Sequence, residues 1–95
     1  MKTISDYLNG IQRSSYSAKE KAALIAYMSD RKYLFGASTK KLTDLVTGET
    51  VYSRCHHLYN DGVYEWTSSE IYHLEKYDLK LSEAFIRHVL EKSEQ

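Results

Sequence analysis

The run Asp61-Gly62-Val63-Tyr64-Glu65-Trp66-Thr67-Ser68-Ser69-Glu70-Ile71 decides the architecture, because it passes from turn to strand to helix in one short stretch. Aspartate before glycine is the pair a tight hairpin turn asks for. Val63 to Trp66 then alternate in the manner of a strand. Thr67 and Glu70 have the spacing of a capping box, in which each side chain satisfies a backbone N–H left free at the helix end. Trp66 and Ile71 bracket that start as a hydrophobic staple. The helix is expected over residues 68–77.

Working outward, His57-Leu58-Tyr59 supplies the other arm of the Asn60-Asp61-Gly62 hairpin. Further upstream, Leu45-Val46-Thr47 and Thr50-Val51-Tyr52 flank Gly48-Glu49 as a second hairpin, and Tyr33-Leu34-Phe35-Gly36 suits a strand. Downstream, Leu79 and Leu81 alternate with polar residues. Ser82 then caps a last helix with Phe85, Ile86, Val89 and Leu90 on one face and Leu81–Ile86 as its staple.

At the N-terminal end, Ser17 and Glu20 form another capping box before a run of strong helix formers ending near Asp30. Ile4, Tyr7, Leu8 and Ile11 predict a short helix before it, with Thr3 as cap and Gly10 as stop. The reading is one α+β domain over 1–95: helical in 1–30, hairpins in 33–66, helical in 67–92 and a frayed tail in 93–95. Helices from both ends cover a three- or four-stranded antiparallel sheet. The expected core is Leu24, Ile25, Met28, Leu34, Val51, Trp66, Ile71, Leu74, Phe85, Ile86 and Val89.

A chain of 95 residues has one core to build, and 42% hydrophobic residues suffice for it. Charge cancels overall, with 13 Lys+Arg and 13 Asp+Glu, so no basic excess recruits nucleic acid. The halves differ. Residues 1–56 hold 9 Lys/Arg and 5 Asp/Glu, a net of +4, and residues 57–95 hold 4 and 8, a net of −4. One cysteine excludes an internal disulfide and fits a reducing compartment. The N-terminus lacks the apolar run of a signal peptide, and no segment approaches the ~20 apolar residues of a membrane span. A cytoplasmic protein is expected.

Cys55-His56-His57 is the most reactive-looking group, since an imidazole can activate a thiolate or bind a metal. Strand alternation puts Cys55 and His57 on one side and His56 on the other, and a metal would need His73 or His88 brought in from the helices. No CxxC or HExxH spacing recommends that, so these residues are expected to be dispensable and no metal or cofactor to copurify. Asp61, Glu65 and Glu70 could form an acid–base set, but Asp61 belongs to a turn and Glu70 to a cap.

Nine tyrosines are the unusual feature of the composition. Tyrosine combines a large apolar ring with a polar handle, which suits half-buried sheet surfaces and protein interfaces. Tyr7, Tyr16 and Tyr33 beside the N-terminal lysines can be read as a base-stacking platform, but no nucleic-acid motif accompanies them and the acidic second half repels phosphate.

The segment from Tyr59 to Val89 resembles small bacterial immunity proteins encoded beside secreted polymorphic or contact-dependent growth-inhibition toxins. The resemblance lies in Asp61-Gly62, Tyr64, Trp66, Tyr72, Glu75-Lys76-Tyr77, Leu79, Leu81 and Phe85, with Thr47-Gly48-Glu49-Thr50-Val51 upstream. The chain departs from the pattern at Glu70 and His73, where an apolar residue and an aromatic are commoner. The resemblance implies a non-enzymatic inhibitor, without cofactor, of a cognate toxin domain, expected to be a basic nuclease. The acidic half then supplies the contact surface: Asp61, Tyr64, Glu65, Glu70, Tyr72, Glu75, Tyr77 and Asp78. A small nucleic-acid-binding or regulatory protein is the second reading and a small enzyme the third.

Overall fold

The turn that opens the deciding stretch is built by side chains. Asp61 Oδ1 accepts the N–H groups of Val63 at 2.9 Å and Tyr64 at 2.7 Å, and Asn60 Oδ1 accepts that of Gly62 at 3.1 Å. Gly62 has φ +94°, a conformation that suits glycine. The computed structural model describes residues 2–30 and 40–93. The turn joins β4 (Leu58–Asn60) to β5 (Tyr64–Thr67) with Tyr59 opposite Trp66, their rings stacked at 6.4 Å. Tyr64 and Trp66 face inward, while Glu65 and Thr67 face out, half-buried.

Helix α2 (Ser68–Tyr77) starts where the capping signals place it, with the Glu70 carboxylate accepting the Thr67 N–H at 3.1 Å. Trp66 and Ile71, the staple pair, are 1% and 4% exposed and belong to the same core cluster. Helix α1 (Ala18–Ser29) begins at Ser17, whose hydroxyl accepts the Glu20 N–H, and α3 (Glu83–Ser93) has Phe85 N–H donating to the Ser82 hydroxyl. All three helices follow the local signals.

The N-terminal segment departs from expectation. Instead of a helix from Thr3, Lys2–Thr3 forms β1, paired parallel with β5 in the register Lys2 to Tyr64 and Thr3 to Glu65. Ile4 is fully buried behind it, and a 3₁₀ turn at Tyr7–Asn9 is closed by Gly10. Sheet pairing and burial of Ile4 claim the first residues, leaving too few for an isolated helix to nucleate. The following segment is stitched to 78–82 through backbone bonds from Ser14 to Asp78, from Lys80 to Gln12 and from Ser82 to Ile4.

The fold is α+β, but the strands do not form the single antiparallel sheet expected. They make a mixed three-stranded sheet, β1-β5-β4, and a separate antiparallel pair, β2 (Lys41–Thr43) with β3 (Thr50–Cys55). Leu45-Val46-Thr47, expected as a strand arm, lies in the turn. Asp44 Oδ1 accepts the Val46 and Thr47 N–H groups at 2.9 and 3.0 Å, curling the chain before it can pair. The proposed Tyr33–Gly36 strand and core residue Leu34 lie outside the described residues.

One cluster forms the core beneath the three-stranded sheet and the helices. Leu24, Met28, Trp66, Ile71, Leu74, Phe85 and Val89 are buried as expected. Ile25 and Ile86 pack on the cluster's edge, and Val51 is half-buried opposite Leu42. Ile4, Tyr27, Tyr59, Tyr64, Leu79 and Leu81 complete the cluster. No helix among the described residues is long and apolar enough to cross a membrane.

Candidate functional site

The acids of the second half do not assemble into one open negative face. Asp61, expected at an interface, has a side chain only 4% exposed. Its Oδ2 accepts the Tyr27 hydroxyl at 2.6 Å and the His88 Nε2–H at 2.8 Å. Burial alone would raise its pKa, but these donors and the Val63 and Tyr64 amides hold it down at about 2. Tyr64 is also core: its ring lies 5.2 Å from Phe85 and 5.0 Å from His88. Both residues are structural and leave the expected contact set.

Glu70 leaves it as well. It is 4% exposed, and besides capping α2 it accepts the Ser5 hydroxyl at 2.7 Å. Burial raises its pKa to about 7, with nearby Glu65 adding to the effect and the two donors opposing it. Glu75 is paired with Arg54 at 2.8 Å and Asp78 with Lys21 at 2.6 Å, so cations from the first half fold onto them. Asp78 is also the left-handed C-cap of α2. Neither Glu65 nor Glu70 has a cationic partner among the described residues, and of the two only Glu65, half-buried on the outer side of β5, is open to solvent.

Tyr72 and Tyr77 do come together, through a residue to which sequence reasoning gave no role. Asp44, 2% exposed, receives both hydroxyls on Oδ2, at 2.6 Å and 2.7 Å. Its burial is outweighed by these donors and two turn amides, which keep its carboxyl well below the usual carboxylate range. Hydrogen bonding to Asp44 raises the Tyr77 pKa. Lys76 Nζ lies 3.1 Å from the Tyr72 hydroxyl and 3.7 Å from Asp44, over both rings. Arg54 lies over Tyr72 at 5.8 Å and Arg13 over Tyr77 at 5.3 Å. His73, fully buried beneath, donates from Nδ1 to the Ser69 carbonyl at 2.6 Å and accepts the Leu45 N–H on Nε2 at 3.0 Å. That pattern assigns it as a neutral tautomer. The result is a half-exposed aromatic and cationic surface along α2, held from below by the β2–β3 turn.

The available clue to Asp44 was its spacing to Val46 and Thr47, which is that of an aspartate closing a turn on its own backbone. A second missed residue is Tyr52. The β2–β3 register shifts between Lys41, opposite Cys55, and Leu42, opposite Val51, and Tyr52 in this irregular stretch is 79% exposed.

Strand β3 ends at Cys55, so alternation does not extend to His56 and His57; Cys55 and His57 both border a recess of about 280 Å³ with Arg54, Glu75, Tyr59 and Ile71. His73 and His88 are engaged in the separate networks above. Among the described residues, no group of three or more His, Cys, Asp or Glu is placed to hold a metal ion. Comparisons with known proteins found no matching family model, no similar curated protein and no similar solved structure.

Proposed function

We propose that the protein is a non-enzymatic, protein-binding inhibitor of the immunity type, acting in the bacterial cytoplasm on a cognate toxin domain. The observation that carries the reading is the exposed side of α2, where Tyr72 and Tyr77 are locked by Asp44 and overlaid by Lys76, Arg13 and Arg54. Tyrosine and arginine dominate the energetic centres of protein interfaces, and rings already fixed lose little freedom on binding. Tyr52, on β3, is a third ring and the most exposed of the three. The polar groups that could do chemistry, Asp44, Asp61, Glu70 and His73, are spent on holding segments together, which favours a binding role over catalysis.

Acidic steering toward a basic nuclease has less support than the sequence suggested, because Glu75 and Asp78 are neutralised in place. A nuclease partner rests on the family resemblance, and Glu65 is the remaining open acid for it. The test is co-expression with the product of the neighbouring reading frame, read as growth and as a purified complex. Rescue of growth and a stoichiometric complex are expected. Lys76→Glu, at an exposed side chain, should weaken that complex about tenfold without altering the circular dichroism spectrum. Absence of both rescue and complex, or an unchanged affinity for Lys76→Glu, would overturn this assignment of partner or surface respectively.

A further inference from the structure

Helix α3 has an outer side that neither the core nor the α2 surface uses. Phe85 and Val89 are fully buried, and at 3.6 residues per turn that sets Glu83, Arg87, Leu90 and Glu91 on the far side of the helix. Between the row Ile86–Leu90 and the row Glu83–Arg87–Glu91 runs a shallow groove of about 400 Å³, lined by these five residues. Rows of residues four apart are the ridges and grooves through which helices interlock. Ile86 packs against the core cluster with part of its surface open, Leu90 is half-buried, and the three charged residues are exposed. Among the described residues, none of Glu83, Arg87 and Glu91 is in an ion pair.

We infer that this face of α3 binds a second copy of the chain, forming a symmetric antiparallel dimer. The pattern is its own complement. With a two-fold axis level with residues 88–89, Ile86 of each copy meets Leu90 of the other along one flank, and Arg87 of each meets Glu91 of the other along the opposite flank. A two-fold contact presents the same patch from both sides, so each favourable pair is made twice. The chain's formal net charge of zero adds no overall repulsion between copies. A helix of 11 residues offers a contact only about 16 Å long, which places the dimer among small, transient interfaces with a dissociation constant of about 100 µM. The dimer is independent of the inhibitor reading and can fail without it.

The experiment is sedimentation equilibrium of the full chain from about 10 µM to about 1 mM, with folding of each variant checked by circular dichroism. A monomer–dimer equilibrium is expected. Arg87→Glu sets acid against acid at two symmetry-related places and should weaken the dimer about tenfold. The double variant Arg87→Glu/Glu91→Arg rebuilds both pairs with the signs exchanged, so it should return the affinity to within about threefold of wild type. Leu90→Gln removes the apolar contact and should also weaken the dimer about tenfold. If Leu90→Gln does not fold, the exposed charge pair decides. A chain that stays monomeric at about 1 mM, full-strength association of Arg87→Glu, or a double variant as weak as the single would each overturn the proposal. The first of these results would leave the groove to a different protein or to none.

Discussion

Two buried carboxylates with opposite shifts give the residue scale its clearest tests. Glu70 has its pKa raised from 4.5 to about 7, so its charge opposes folding. The opposition starts as pH rises past 4.5 and is complete above about 7. Glu70→Gln keeps an acceptor for the Thr67 N–H and removes the buried charge. Its stability relative to wild type should grow between pH 5 and pH 8 by about 2–3 kcal/mol. Denaturant midpoints that move in parallel at both pH values would refute this. The same burial means that Glu70→Lys would unfold the protein and report nothing about a binding face.

Asp61 runs the other way, its pKa lowered from 3.8 to about 2, so its contribution is present above 3.8 and lost as pH falls through 2. Tyr27→Phe removes one donor to that carboxylate. It should cost about 1.5–3 kcal/mol at pH 7, shrinking toward pH 2 as the carboxyl takes up its proton. A loss that stays constant across that range would point to packing of the ring as the whole effect.

At the scale of elements, the contact that decides the β2–β3 pair is the seating of its turn on α2. Asp44 ties Val46 and Thr47 to Tyr72 and Tyr77, and His73 holds Leu45. Tyr72→Phe and Tyr77→Phe each remove one hydroxyl from one carboxylate oxygen, so their effects should not add. The double variant should speed amide exchange at Val46 and Thr47 by about tenfold or more, leaving the β4–β5 hairpin protected. Uniform acceleration through both hairpins would show that the turn is no separate unit. The capped helices stand apart from this, since their start signals lie within the neighbouring residues and survived folding unchanged.

Trp66 connects the elements into one molecule. It is 1% exposed, its Nε1–H donates to the Met28 carbonyl at 3.2 Å, and its ring meets Tyr59, Tyr27 and Phe85. Strands, α1 and α3 therefore lose a shared partner in Trp66→Ala. The cost should be about 3–5 kcal/mol, enough to leave a domain of this size largely unfolded. A thermal midpoint within a few degrees of wild type would contradict the central packing role.

By itself, the sequence determined the three capped helices, the Asn60–Gly62 hairpin, the Trp66–Ile71 staple and the α+β class. Each rests on groups a few residues apart, so the physics is complete within the stretch that is read. Tertiary structure alone decided that Lys2–Thr3 would pair parallel with β5, that Asp44 would collect two tyrosines from α2, and that Arg54 and Lys21 would neutralise Glu75 and Asp78. These contacts join residues 21 to 62 positions apart, and a local pattern cannot say which distant donor will meet a given carboxylate. Asp61 and Glu70 show the consequence most plainly. Both were rightly read as turn and cap residues, but those roles, completed by Tyr27, His88 and Ser5 from elsewhere in the chain, draw them out of the surface where their charge alone had placed them.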